Sequence, residues 1–359
     1  MNELQIILAE TSARLFGEHV TKEVLEAAEK GAWPDDLWAA VEENGLTKPL
    51  VPDAQGGAGA GWAEAFVILH AAGRFAAPIP LAETIIAGRL LSLAGIDTPP
   101  GPLSVAPVGK AETLRLEAKG GGRIGGAASA VPWGGKVEHV AVLAEKEGEL
   151  HVALIARDAY IAEGDRNIAG EARDRIIFDD SPVVAAAPAG DGITREAIWL
   201  MGALARVAQM AGGIGRILAE SVRYANHREQ FGRPIARFQA IQHQLAVLAS
   251  HAAAADMAAE SAALALDAGD AAFEIACAKV VTGEAAGLGA AIAHQVHGAI
   301  GFTYEHALHF ITRRLWSWRA EFGAENAWAE RIGRDVAGRG ADALWSDLTA
   351  RQAGELRWS

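Results

Sequence analysis

Arg228, Gln230 and Phe231 have the types and spacing to hold an anion beside a flat ring. They lie in residues 227–242, His-Arg-Glu-Gln-Phe-Gly-Arg-Pro-Ile-Ala-Arg-Phe-Gln-Ala-Ile-Gln. A guanidinium is a planar fork of donors that matches phosphate, and fixed beside an aromatic it suits a phosphate next to a planar ring. A second stretch, Gln295-Val296-His297-Gly298-Ala299-Ile300-Gly301-Phe302, puts glycines just after a helical pattern. There a missing Cβ lets a ligand or another backbone approach closely. A helix hairpin whose Arg caps helix ends, and a plain glycine break, would explain the same two stretches without a ligand.

Both stretches fall where helices should meet. Upstream of the first, Leu200, Leu204, Val207, Ala211, Ile214 and Leu218 recur every three or four residues, one apolar helix face. Arg206, Gln209, Arg216, Glu220, Arg223 and His227 make a polar stripe beside it. Gly232 and Pro234 are expected to stop that helix, and Ile241, Leu245, Leu248 and Ala252 to start the next. Helices are predicted at about 196–227, 238–268, 271–295, 305–318 and from about 324, with Thr194 capping the first. Earlier in the chain, residues 1–98 read as helical: an amphipathic start at Leu4, Ile7, Leu8 and Leu15, a helix opening at Pro34-Asp35-Asp36 and ending at Gly45, and helices over 62–73 and 81–94. Residues 49–59, with two prolines and three glycines, read as a loop. Residues 99–190 change character. Short β-prone runs at 103–107, 113–118, 138–145, 150–157 and 174–179 include a hairpin signal around 146–149, and 182–192 reads as a linker. The expected division is a helical domain 1–98, a β-domain 99–190 and a helical domain 191–359.

With 359 residues, 51% of them hydrophobic, the chain can bury a large core. A net charge of −13 argues against nucleic acid or an anionic membrane as general partners. The single cysteine, Cys277, excludes a disulfide within the chain and reads as a small core residue. The N-terminus lacks a signal-peptide pattern and no uninterrupted apolar run spans a bilayer, so a cytoplasmic protein without a membrane partner is expected. No metal-ligand cluster stands out among the eleven histidines.

The two glycine-containing stretches resemble the acyl-CoA dehydrogenase family. There an Arg-x-x-Phe-Gly segment reaches across a subunit interface to the pyrophosphate of a neighbour's FAD, and a Gln-x-x-Gly-Gly-x-Gly segment reaches the adenosine half. Arg228, Gln230 and Phe231, with Gln295, Gly298 and Gly301, match those positions; Ala299 replaces the family's second glycine. Residues 49–59 resemble the family's Val-Pro-Glu-x-x-Gly-Gly-x-Gly loop. The resemblance covers nearly the whole chain. It implies an α+β fold, mostly α: an N-terminal helical domain, a small middle β-domain and a C-terminal four-helix bundle. It also implies FAD as cofactor, an acyl-CoA substrate desaturated between its α and β carbons, and an electron-transfer flavoprotein or similar acceptor.

The departures from the family pattern are specific. Aligned from Gly301 through Arg313, the family's base Glu in Tyr-Glu-Gly-Thr falls on Phe322, with Glu321 one residue earlier. One residue turns a side chain by about 100° on a helix, so Glu321 is a candidate base without the family's geometry. The family's other base position falls near Gly202, and Glu196 and Glu325 have no positional support. Where the family's β-domain holds the flavin in cis, residues 105–110 read Val-Ala-Pro-Val-Gly-Lys and Pro132 stands for a hydrogen-bonding Thr. The half-site lent to a neighbour is intact and the chain's own is eroded. This pattern resembles the second subunit of heteromeric bacterial relatives, in which two unlike chains share half the usual FAD sites and act on bulky acyl-CoAs such as steroid side-chain thioesters. A homo-oligomer using Glu321, and a structural partner without flavin, are the alternatives. Residues 313–319, Arg-Arg-Leu-Trp-Ser-Trp-Arg, would serve either a subunit interface or a buried aromatic cluster.

Overall fold

The computed structural model describes residues 2–109, 111–117, 122–340, 342, 344 and 345. Lys110 of the expected flavin loop and Ala118 of an expected β-run lie outside the described residues. Two compact units emerge: residues 1–68 with 77–202, and residues 69–76 with 203 onward.

The first unit opens with three helices, α1 (Glu3–His19), α2 (Lys22–Glu29) and α3 (Asp35–Glu43). Each start follows local chemistry. Asn2 and Gln5 form a reciprocal capping box on α1, Thr21 caps α2, and Asp35 and Asp36 occupy the first turn of α3. The 49–59 loop is a tight turn-rich connection, in which a Cβ on Gly57 would fall 2.1 Å from the carbonyl oxygen of Val51. It leads into α4 (Trp62–Phe75) and then α5 (Leu81–Leu93). α5 is buried almost all round, as a helix sunk in a core must be. Thr84 ties it to the sheet, its hydroxyl accepting from the Leu103 amide at 3.0 Å and donating to the Leu103 carbonyl at 3.2 Å.

The sheet contains β1 (Leu103–Ala106), β2 (Leu114–Leu116), β3 (Arg123–Pro132), β4 (His139–Lys146), β5 (Glu149–Ala156), β6 (Ile161–Glu163), β7 (Arg173–Pro182) and β8 (Ala185–Pro188). Its order is β6-β7-β3-β2-β4-β5-β8, with β1 parallel to β4. The expected 146–149 hairpin is the β4–β5 pair, which runs antiparallel from His139↔Ala156 to Lys146↔Glu149. Apolar residues of β2, β3, β4, β5 and β7 close one core with Trp133, Val137 and Tyr160. Sequence reasoning misses β3 because its Gly and Ala residues have low strand propensity. Residues 182–192 are not only a linker: β8 pairs with β5, and its one proline, Pro188, is tolerated at an edge.

The second unit holds the last turn of α4, most of α6 (Arg195–His227), α7 (Gln239–Ala268), α8 (Ala272–His297), α9 (Leu308–Trp318) and α10 (Glu325–Arg339). The α4–α6 crossing is backbone on backbone. A Cβ on Gly212 would lie 1.9 Å from the His70 carbonyl oxygen, and one on Gly73 would lie 2.0 Å from that of Gln209. Only glycine permits that approach. The apolar face expected on α6 is too narrow: residues 201–214 are all buried, Arg206 and Gln209 included.

One other expectation changes. Cys277 is half-buried rather than part of the core. Arg195–His227 and Ala272–Phe302 are each long and apolar enough to cross a membrane by length and composition, but 83% and 61% of those windows are buried inside the structure. They are core helices. In 313–319, Arg314, Leu315 and Trp318 are buried in the chain's own unit, while Arg313, Trp316 and Arg319 are half-buried.

Candidate functional site

The 228–231 corner is a hairpin. α6 ends at His227, and β9 (Glu229–Gln230) pairs antiparallel with β10 (Arg233–Pro234) across the two-residue loop Phe231-Gly232. The loop φ values are +51° and +75°, as a two-residue type I′ turn requires. Glycine adopts that region freely; a bulky residue there is strained, by about 1–3 kcal/mol. Phe231 accepts it and stands 93% exposed, its ring 6.1 Å from that of Phe238. Gly232 and Pro234 therefore shape the hairpin and do not stop the helix. The Ile235 amide closes the base of the corner on the Arg228 carbonyl at 2.8 Å. Arg228, Gln230 and Phe231 are all exposed on this one tip.

The second stretch divides. Gln295 is exposed on the last turn of α8, and Gly298 follows with φ +66° and nothing within 4 Å of where a Cβ would be. Gly301 differs: its Cβ would sit 3.1 Å from His297 Cβ and from Leu308 Cδ2, a close fit that any larger residue would have to open. Tyr224, one turn before Arg228, stacks on His297 at 4.6 Å. The two stretches are thereby joined.

The base position holds no acid. Phe322 is 6% exposed, has φ +53°, and lies with its ring centroid 5.8 Å from the Arg206 guanidinium carbon. The Phe322 carbonyl accepts from Trp328 Nε1 at 3.0 Å. Glu321 is engaged beside it: Arg206 Nε donates to its Oε2 at 2.6 Å, while Arg206 Nη1 donates to Gln209 Oε1 at 2.7 Å. The Arg206 side chain is 3% exposed and that of Glu321 17%. Glu325 is ion-paired with Arg319. Gly202 lies buried in α6, and Glu196 in that helix's first turn.

Lys279 holds the same turn from beneath. Fully buried on α8, its Nζ donates to the carbonyls of Glu321 (2.8 Å), Arg319 (3.2 Å) and Trp318 (3.4 Å), just past the end of α9. Burial pushes its pKa down to about 7; the Glu321 carboxylate pulls it up, and Arg206 and Arg319 push it down. The unfolded chain, at the ordinary lysine value of about 10.4, then carries more protons than the fold above pH 7. Stability is expected to rise from pH 7 towards 9, and the urea midpoint of Lys279→Met should lack that rise. Lys279 was missed in the sequence; a lone lysine in the apolar run of α8 was its only trace.

In the β-domain, Pro107, Val108, Gly109, Leu143, Arg195, Ile198 and Trp199 surround a cavity of about 10 Å³, room for roughly one water. The Pro132 carbonyl is already taken by Ser104 Oγ at 2.5 Å, and proline has no amide hydrogen. Among the described residues no cluster of His, Cys, Asp or Glu could hold a metal.

Family models for the acyl-CoA dehydrogenase N-terminal domain and C-terminal domain match residues 2–97 and 193–337. The chain belongs to the acyl-CoA dehydrogenase family. Acyl-CoA dehydrogenase IpdE2 of Mycobacterium tuberculosis is 29% identical over 317 residues, 86% of this chain and 89% of that protein. Among solved structures, a chain of the ChsE4-ChsE5 complex from Mycobacterium tuberculosis superposes with a TM-score of 0.83, at 23% identity, over 94% of this chain and 98% of that one. Butyryl-CoA dehydrogenase from Megasphaera elsdenii gives 0.82 at 17% identity, over 93% and 98%. At such identities these structures speak to the fold, which is the mostly helical acyl-CoA dehydrogenase fold with its small sheet. FAD is the cofactor of acyl-CoA dehydrogenases. For that group, the exposed 228–231 tip and Gly298 fit: a guanidinium, an aromatic and room for backbone approach. At the chain's own positions, Pro107, Val108 and Gly109 line a cavity of roughly one water, and Pro132 offers no amide donor while its carbonyl is bonded to Ser104.

Proposed function

We propose that this chain is an acyl-CoA dehydrogenase subunit that completes the FAD site of a homologous partner and leaves proton abstraction to that partner. The observation that carries the reading is the pairing of Glu321 with buried Arg206 beside a buried Phe322. The chain's candidate base is spent on structure, while its lending tip is fully exposed. When bound, FAD would take the β-hydride of an acyl-CoA thioester as a base removes the α-proton. This chain's part is to orient. Arg228 would place a charge-assisted donor on the pyrophosphate, with Gln230 and Phe231 beside it. Gln295 and Gly298 would line the adenosine end. Electrons would pass on to an electron-transfer flavoprotein or similar acceptor. The relative that forms the ChsE4-ChsE5 complex is a heteromer by its own description, which supports an unlike partner here.

The decisive measurement is flavin absorbance of the chain purified alone and with its partner. Little flavin alone and a full complement in the complex is the expected pair of results. A stoichiometric yellow protein from this chain alone would refute the heteromer reading and favour a homo-oligomer. A colourless complex would leave a structural subunit. Within the complex, Arg228→Ala should weaken FAD retention roughly ten- to a hundredfold, the worth of a charge-assisted hydrogen bond of about 1.5–3 kcal/mol. Assembly and circular dichroism should be unchanged, because the side chain stands in solvent. Normal retention would return Arg228 to the role of a helix-hairpin residue.

A further inference from the structure

The segment between α8 and α9 is packed on histidines that have no room for a second proton. His294 and His297 are 6% and 3% exposed. His297 Nδ1 faces the Ala293 carbonyl at 2.7 Å, which can only accept, so Nδ1 carries the hydrogen. Its Nε2 is then a bare lone pair, buried without a partner. His306 is the reverse case. Its Nδ1 accepts from the Leu308 amide at 3.2 Å, at the start of α9, where no other side chain caps the helix. His294 bonds Thr312 through Nε2 at 2.9 Å, and its Nδ1 lies 3.2 Å from where a Cβ of Gly301 would stand. The rings stack on one another: Tyr224 on His297, His297 against His306 at 4.7 Å, and Phe302 on His294 at 4.1 Å.

We propose that residues 298–306 form a proton-operated latch: protonation of His297 at Nε2 and of His306 at Nδ1 releases the segment from α6 and α9 in mildly acidic solution. The first proton has no acceptor within the stack. The second removes the acceptor from the Leu308 amide and uncaps α9. Burial already holds His294, His297 and His306 below the ordinary histidine value. Glu220 on α6 opposes that shift for His297 and His306, and Arg223 reinforces it, joined by Arg216 for His306; His309 on α9 adds to it for His294 and His306. The open segment therefore binds protons more readily than the closed one. Stability of the closed form is full above pH 6.5 and falls as pH drops through that value.

The test is hydrogen–deuterium exchange of the full chain from pH 7.5 to 5.5, corrected for intrinsic rates. Two groups that bind protons near pH 6.5 when open, and less readily when closed, raise the opening equilibrium of 298–306 by up to about thirtyfold between pH 6.5 and 5.5. His306→Asn keeps a side-chain acceptor for the amide two residues on and does not titrate. It should cut the rise to about fivefold. His297→Phe keeps a flat ring and should do the same; if it does not fold, His306→Asn carries the test. Opening that ignores pH, an equal rise along the whole chain, or the full slope in a folded variant would overturn the latch. Because the segment carries Gly298, its release would also withdraw part of the proposed FAD half-site. That consequence rests on the proposed function, whereas the exchange test does not, so a flavin-free chain with a working latch would separate the two.

Discussion

Arg206→Ala is expected to cost about 3–5 kcal/mol of folding stability, read as a fall in the urea midpoint with an unchanged slope. The size follows from what the guanidinium holds. Its side chain is 3% exposed and donates to Glu321 Oε2 at 2.6 Å and Gln209 Oε1 at 2.7 Å. Removing it strands a largely buried carboxylate beside Phe322, and an uncompensated buried charge is among the few mechanisms that reach this range. Phe322 keeps a left-handed backbone that a bulky residue avoids, and the surrounding contacts must hold it there. Arg206, Lys279 and Trp328 all converge on the 321–322 turn. Arg206→Met, which fills the space without a charge, should be little better, because the carboxylate is still left behind. A loss below about 1 kcal/mol would mean that Glu321 finds water instead, as exposed pairs do.

Much of the fold is legible in the sequence because periodicity and punctuation agree. The 81–94 pattern becomes α5 at Leu81–Leu93, and the apolar runs either side of 146–149 become β4 and β5. Failures occur where a local rule is overridden. β3 carries Gly125, Gly126 and several alanines, and forms because β7 pairs with it along nearly its whole length. The hairpin at 229–234 hides because Phe-Gly is not the Asn-Gly that announces a type I′ turn. At the candidate site, Arg228, Gln230 and Phe231 stand out by residue type and by the family resemblance, and the structure adds that they share an exposed tip. Gly298 and Gly301 look alike in sequence, yet one is open and the other packed against His297. The state of Glu321 was not readable at all, since its partner Arg206 lies 115 residues away.

That pairing sets the expectation for the residue nearest the base position. Glu321→Gln in the complete assembly should lower stability, because Arg206 loses its counter-charge, yet change turnover by less than about tenfold. General-base catalysis contributes about 10²–10⁴-fold, so the two possible roles are well separated. A working base must reach the substrate's proton with a free lone pair. Glu321 Oε2 is occupied by Arg206 Nε, and the backbone carbonyl of the same residue is held by Lys279 Nζ at 2.8 Å. Freeing the carboxylate for proton transfer would strand the Arg206 charge, at a cost of about 3–5 kcal/mol, and that cost would consume most of the catalytic gain. Glutamine keeps the length and one oxygen acceptor for the guanidinium, so packing is nearly preserved while basicity is lost. Measuring the urea midpoint and the turnover on the same preparation separates structure from chemistry. A turnover loss of a hundredfold or more, with flavin content and assembly unchanged, would make Glu321 a displaced catalytic base and turn the chain into an active dehydrogenase in its own right. A lowered midpoint with near-normal turnover would place the base on the partner subunit and leave Glu321 as the counter-ion of Arg206.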